Sequence, residues 1–254
     1  LLVLVRVDAV RHDAGIAAAE EPELLVCVAV MLRARTQLPD PRDLGVVFRQ
    51  MALHGHAVFR LQACKAAKEK GVTVSCDLNY RKKLWSREQA GEVMAKLLPY
   101  VDVCIANEED AKDVFGIEAE NTDINSGKLD HAGYISVARQ IAQRFGCRKV
   151  AITLRGSLSA SDNDWAGMLY DAASDKAVFS PTYRIHIVDR VGGGDSFGGG
   201  LIYALMSGKD DQAAINFAVA ASCLKHSIEH DFNQMSVAEV EALAAGNASG
   251  RVQR

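Results

Sequence analysis

From residue 61 onward, apolar positions switch back and forth between a helical period and short β-branched runs. Leu61–Lys70 is built from good helix formers and is stopped by Gly71 just past its end. Val72–Cys76 then predicts a short strand that opens into the polar stretch Asp77–Arg81. Ser86 caps a helix running to Leu98, with Glu88 and Glu92 in its early turns, and Pro99 ends it. Val101–Ala106 predicts a buried strand, Glu108–Phe115 and Tyr134–Phe145 helices, Lys149–Leu154 another apolar strand and Tyr183–Val188 the last strand. Everything after that reads as helix, over Ser196–Met206, Gln212–Lys225 and Val237–Ala244. Strands alternating with helices predict an α/β fold, a central mostly parallel sheet flanked by helices. Ligands of such sheets sit beyond the carboxyl ends of the strands, which directs attention to the loops after residues 76, 106, 154 and 188.

Residues 1–60 interrupt this regularity. They hold seven Arg and no Lys, whereas residues 61–254 hold ten Arg and twelve Lys. Leu1–Val7 and Leu24–Leu32 could be strands, but Pro39-Asp40-Pro41 and His54-Gly55-His56 give no repeating unit. The chain therefore divides into an Arg-rich segment, 1–60, and a regular segment, 61–254; the first is either an ordinary Arg-rich stretch or foreign to the rest. Leu24–Leu32 is the longest apolar run and falls well short of the roughly 20 residues a membrane helix needs. The first ten residues carry Arg6 and Asp8 and lack a signal-peptide layout. Hydrophobic residues make up 49% of the 254, enough for a sizeable core and too many for disorder. A net charge of −3 argues against nucleic acid as a partner. Cys27, Cys64, Cys76, Cys104, Cys147 and Cys223 form no C-x-x-C pair and read as reduced thiols. A cytoplasmic globular protein with no membrane or nucleic-acid partner is expected; its oligomeric state, homo-oligomer included, stays open.

The densest chemical signal is Val188-Asp189-Arg190-Val191-Gly192-Gly193-Gly194-Asp195-Ser196-Phe197-Gly198-Gly199-Gly200. It follows a strand and opens a helix. Three successive glycines let the backbone turn tightly and aim several N–H groups at one point, and the helix N-terminus behind them favours an anion such as phosphate. An aspartate there would repel a resting phosphate, but it suits a base that takes a proton from a hydroxyl attacking a phosphoryl group. The bland alternative is a glycine-rich connector with Asp195 as a helix cap.

Other patterns compete. Gly194-Asp195-Ser196-Phe197-Gly198 fits the G-x-S-x-G elbow of serine hydrolases, with Ser196 as nucleophile and His226, His230 or Asp231 as partners. His226-Ser227-Ile228-Glu229-His230 fits an inverted zincin pattern, against a loop carrying two solvated or ligand-facing histidines. His54 and His56 read as surface residues. Asp77-Leu78-Asn79-Tyr80-Arg81 lies straight after a strand, where Arg81 offers a planar fork for a carboxylate or phosphate, or where an Asx turn leaves it merely exposed. Asn107-Glu108-Glu109-Asp110 could hold water around Mg2+ or be a plain acidic helix start. Thr153-Leu154-Arg155-Gly156 ends a strand where Arg155 could meet a nucleotide phosphate.

Asp189-x-x-Gly192-x-Gly194-Asp195-x-Phe197 resembles the C-terminal signature of the PfkB (ribokinase-like) carbohydrate kinases. Asp77-x-Asn79-x-Arg81, Asn107-x-x-Asp110 and Thr153-Leu154-x-Gly156 follow in the family's order, and the resemblance covers about residues 61–254. Within the family, Ser75–Trp85 and Asp189–Asp195 look most like 2-keto-3-deoxygluconate kinases. The resemblance implies a ribokinase-like fold and ATP-dependent phosphorylation of a sugar acid, with fructose or ribose as alternative sugars. It implies Asp195 as catalytic base and the amides of Gly192, Gly193 and Gly194 as anion hole. Arg81 and Asp231 would meet the substrate, and Asn79, Asn107, Arg155 and Gly156 the nucleotide. Asp110, where the family has Glu, would reach Mg2+ through water, and Asp189 would serve a monovalent cation such as K+. The family's first central strand, glycine-rich sugar signature and β lid are not recognisable in residues 1–60. A lid excludes water from phosphoryl transfer, so ATP binding with weakened or lost sugar phosphorylation is expected.

Overall fold

The computed structural model describes residues 3–5, 61–118, 131–231 and 233–246. Val3–Val5 is β1 and residues 61–69 form α1. Then come β2 (Val74–Asp77), α2 (Arg87–Leu97), β3 (Val103–Asn107), α3 (Glu108–Phe115), α4 (His131–Phe145) and β4 (Lys149–Ser157). The chain goes on through β5 (Asp162–Asp171), β6 (Lys176–Phe179), β7 (Tyr183–His186), α5 (Gly193–Met206), α6 (Asp211–Lys225) and α7 (Val237–Ala244). The expected strand at Leu24–Leu32 and the histidines His54 and His56 lie outside the described residues.

The seven strands form one sheet in the order β1-β2-β3-β4-β5-β6, with β7 also paired to β5. Its parallel centre is β2-β3-β4, while β1 and β5 join antiparallel and β6 and β7 both pair antiparallel with β5. The alternation of side chains explains the layering. Val150, Ile152 and Leu154 of β4 belong to a core shared with α1–α4, whereas Ala151 belongs to a second core under α5–α7. Cys104 and Ala106 of β3 face the first core, Val103 and Ile105 the second. Strands buried on both faces read as continuous apolar runs, which is why β3 and β4 are plain in the sequence.

Helix ends follow local chemistry. Ser86 accepts the Gln89 N–H and Gln89 reaches back to the Ser86 N–H, a capping box that starts α2. Asn107 accepts the Asp110 N–H to start α3, and Asp210 accepts the Ala213 N–H to start α6. No helix among the described residues is long and apolar enough to cross a membrane.

Some boundaries differ from expectation, and two strands were not expected at all. The strand β4 runs to Ser157, so Arg155 and Gly156 lie within a strand, not in a loop after residue 154. The strands β5 and β6 were not expected: Gly167 and the Ser, Asn and Asp punctuation around residues 159–164 obscure β5, whose nine-residue pairing with β4 supplies its β structure, and β6 pairs in turn with β5. The helix α5 begins at Gly193, three residues before the expected Ser196, which draws the glycines into its first turn.

Candidate active site

The carboxyl ends of β2, β3 and β4 share one edge because these strands are parallel. The strand β7 returns to that edge, being antiparallel to β5, which is itself antiparallel to β4. The loops after Asp77, Asn107, Ser157 and His186 therefore gather on one side of the sheet.

The glycine-rich loop is built by close approach. Gly192 is the N-cap of α5 at φ 79°, a left-handed conformation that glycine adopts without strain. A Cβ there would collide with the Asp231 carbonyl. A Cβ on Gly193 would come within 2.6 Å of His226 Nε2. The Gly193 carbonyl accepts the Ser222 hydroxyl at 2.7 Å, and His226 Nδ1 lies 2.7 Å from the Ser222 carbonyl. A carbonyl only accepts, so Nδ1 carries the proton; burial lowers the pKa of His226, which favours the neutral ring. That ring packs on Trp165 with centroids 4.9 Å apart.

Of the amides expected to form an anion hole, Gly193 N–H points at the Arg190 carbonyl, 3.4 Å away. Ser196 N–H closes on the Gly192 carbonyl at 2.8 Å. The N–H groups of Gly194 and Asp195 have no partner among the described residues and sit at the positive end of α5. Asp195 is exposed in the first turn. Asp189 sets the approach to the loop: one carboxylate oxygen accepts Val191 N–H at 2.9 Å, the other His230 N–H at 3.1 Å. The Val191 bond above all holds its pKa below the usual carboxylate range.

At the end of β2, Asp77 accepts the Asn79 N–H at 3.1 Å, an Asx turn that holds Asn79 at φ 39°. Arg81 is exposed and donates to the Tyr80 carbonyl at 3.0 Å. Asp110 is buried and accepts the Tyr80 N–H at 3.2 Å, while its own N–H is bound by Asn107 at 2.7 Å. Asp110 thus braces the β2 loop against α3. Burial, then the charge of Asp110, pushes the Asp77 carboxyl up to about 7, with Asp195 adding to the rise. Burial pushes Asp110 up to about 6, opposed by the Tyr80 amide and the Arg81 charge.

Asp77, Asp110 and Asp195 therefore share one acidic corner. Asp77 entered the sequence reading only as the first position of the Asp77–Arg81 motif, with no role assigned, although a carboxylate ending a central strand beside a candidate phosphate site was a usable signal. Ser222 and Trp165 were also missed, for they act only by supporting the glycine loop from α6 and β5. Arg155 is exposed on β4 opposite Trp165, and its charge, with those of Lys225 and Arg190, disfavours a charged His226. Asp231 is exposed, its backbone carbonyl beneath Gly192.

The competing motifs do not assemble. No histidine is hydrogen-bonded to Ser196 among the described residues, and His226 Nδ1 is committed to the Ser222 carbonyl. His226 caps α6 while His230 lies in a turn at φ 72°, so the two do not share a helix face as a zincin pair would.

A parallel sheet centre between two helical layers, with a glycine-lined helix N-terminus at the carboxyl edge of the sheet, is a ribokinase-like arrangement. The chain belongs to the pfkB family of carbohydrate kinases, whose family model matches residues 53–228. It is similar to a 2-dehydro-3-deoxygluconokinase from Thermotoga maritima, with TM-score 0.67 and 49% identity over 73% of this chain and 54% of that one. A PfkB family carbohydrate kinase from Listeria grayi gives TM-score 0.64 at 32% identity, over 74% of this chain and 55% of the other. A 2-dehydro-3-deoxygalactonokinase from Haloferax volcanii is 28% identical over 186 residues, 73% of this chain and 51% of the relative. The chain spans about half the length of these relatives.

Proposed function

We propose that this chain carries the ATP-binding and phosphoryl-transfer machinery of a cytoplasmic kinase for 2-keto-3-deoxygluconate. The observation that carries the reading is the start of α5, where Asp195 stands beside unpaired amides at a positive helix end. Asp195 takes the proton of the sugar hydroxyl, the oxygen attacks the γ-phosphorus of ATP, and the bond to the bridging oxygen breaks to release ADP. The amides of Gly192, Gly194 and Asp195 stabilise charge on the transferring group, while Gly193 seats the loop on His226 and Ser222. Arg81 receives the sugar's carboxylate and Asp231 a hydroxyl. Asn79, Asn107, Arg155 and Gly156 line the nucleotide side. Asp110 would hold Mg2+ through water, and the ion would neutralise phosphate charge.

The 2-keto-3-deoxygalactonate epimer is the second reading, supported by the name of the Haloferax volcanii relative; fructose and ribose are the remaining alternatives. The test is ADP release by the purified chain with ATP and Mg2+, comparing both epimers, fructose and ribose with no sugar. The expected result is release that depends on 2-keto-3-deoxygluconate and exceeds that with its epimer. Preference for another sugar overturns the substrate, and ATP binding without any sugar-dependent release overturns the activity of this chain.

A further inference from the structure

Lys225, the last residue of α6, has no solvent-accessible surface. Its ammonium has three donors, yet its one hydrogen-bond partner among the described residues is the Ile228 carbonyl, 3.3 Å away. No carboxylate lies within ion-pair distance of it among the described residues. Burying an ammonium is costly unless its surroundings need the charge. The surroundings are the turn after α6, which carries the backbone of the candidate anion loop. The His226 carbonyl accepts Val188 N–H at 2.8 Å, His230 N–H binds Asp189, and the Asp231 carbonyl lies under Gly192.

The charge of Lys225 acts on Asp189 and helps keep it ionised. A monovalent cation at this place would need oxygens to replace its hydration shell. Each carboxylate oxygen of Asp189 already accepts a backbone amide, from Val191 and His230, and an ammonium closed into the same turn would repel a second cation. The charges of Lys225, Arg190 and Arg155 all disfavour a charged ring at the adjoining His226. These residues do not fit a K+ ion.

We propose that Lys225 supplies, as a built-in ammonium, the positive charge that a monovalent cation would otherwise bring to the Asp189 loop, so that the loop forms without K+. An ammonium and K+ are similar in size, and a carbonyl oxygen that accepts a hydrogen bond from the one can coordinate the other, which makes the exchange chemically natural. The inference concerns the order of the loop and stands whether or not the chain phosphorylates a sugar.

Hydrogen exchange on the full chain tests it, in KCl and in choline chloride at equal concentration, about 0.1 M, so that screening is the same. The Val191 and His230 amides, which bond to Asp189, are the reporters. In the unsubstituted chain their protection should be the same in both salts. In Lys225→Met, which keeps the stem and removes the charge, protection should fall about tenfold or more in choline chloride and recover in KCl. Lys225→Arg should behave as the unsubstituted chain does. Protection that requires K+ in the unsubstituted chain overturns the proposal, as does full protection of Lys225→Met in choline chloride. If Lys225→Met does not fold, the salt comparison on the unsubstituted chain decides alone.

Discussion

Asp195 and Asp77 occupy one acidic corner but answer to different physics. Asp195 is exposed at the start of α5, open to a substrate. Asp195→Asn keeps the shape and removes the base, so sugar-dependent ADP release should fall about 10²–10⁴-fold while nucleotide binding, read by titration, persists. Full turnover in that variant would take the base role from Asp195. Asp77 is desolvated and faces Asp110 and Asp195, which raises it to about 7. The folded chain thus holds this proton more tightly than the unfolded one. The stability it contributes is present below about pH 4 and is lost as pH rises through about 7; Asp110, raised to about 6, acts in the same sense. Asp77→Asn can still accept the Asn79 amide but cannot ionise. Denaturant unfolding should show the variant losing less stability between pH 5 and 8, and at pH 8 exceeding the unsubstituted chain by at least about 1.4 kcal/mol. An identical pH profile would show that the Asp77 carboxyl is not held neutral. Of this corner the sequence made Asp195 and Asp110 legible, because each stands at a helix start. The coupling to Asp77 was not legible, since it crosses from β2 to α3 and α5.

At the scale of elements, two junctions hold the site's frame. Asp102 accepts Val74 N–H at 3.0 Å and Lys68 Nζ at 2.7 Å, and its carbonyl accepts the N–H groups of Arg148 and Lys149. It thereby joins α1, β2 and the start of β4. Asp102→Ala leaves the Val74 N–H buried without a partner, and equilibrium unfolding should register a loss of about 1–3 kcal/mol. The other junction is the seam of α5 on α6. Small groups meet there, with a Cβ on Gly200 falling 3.1 Å from Ala221 Cβ. Gly193→Ala drives a methyl into the His226 ring, and overpacking of this kind should cost about 1–3 kcal/mol in the same measurement. Unchanged stability would mean that His226 moves aside freely. The elements themselves were mostly readable, and α3 and α7 stand at the expected residues because their apolar faces and caps agree. The start of α5 was misplaced because glycine is a poor helix former, and only the contacts with His226 and Ser222 make Gly193 helical.

Over the whole molecule, the sheet separates two apolar cores and the cysteines report on their integrity. Cys64, Cys76, Cys104 and Cys147 are buried, and Cys223 is partly so. Burial pushes Cys64 and Cys223 up to about 11 and Cys76 higher still. Thiolate is the reactive form, so these thiols should be inert while the chain is folded. In a Cys27→Ser background, a thiol-specific disulfide reagent should label them slowly in buffer and rapidly in denaturant, with labelling following unfolding. Rapid labelling of any of the five under native conditions would show that its core opens locally.

Hydrophobic period and helix caps by themselves determined the order of helices and central strands, because each is a local property carried by neighbouring residues. The glycine-aspartate run likewise marked the candidate anion loop, since glycines at a helix start let the backbone turn tightly wherever they occur. Only the tertiary structure decided β5 and β6, where the pairing of β5 with β4 overrides Gly167 and the polar punctuation, and β6 pairs in turn with β5. It alone brought Asp77, Asp110 and Asp195 together and closed Lys225 into the turn beneath the loop, for burial and charge coupling depend on distances in space that a sequence does not contain.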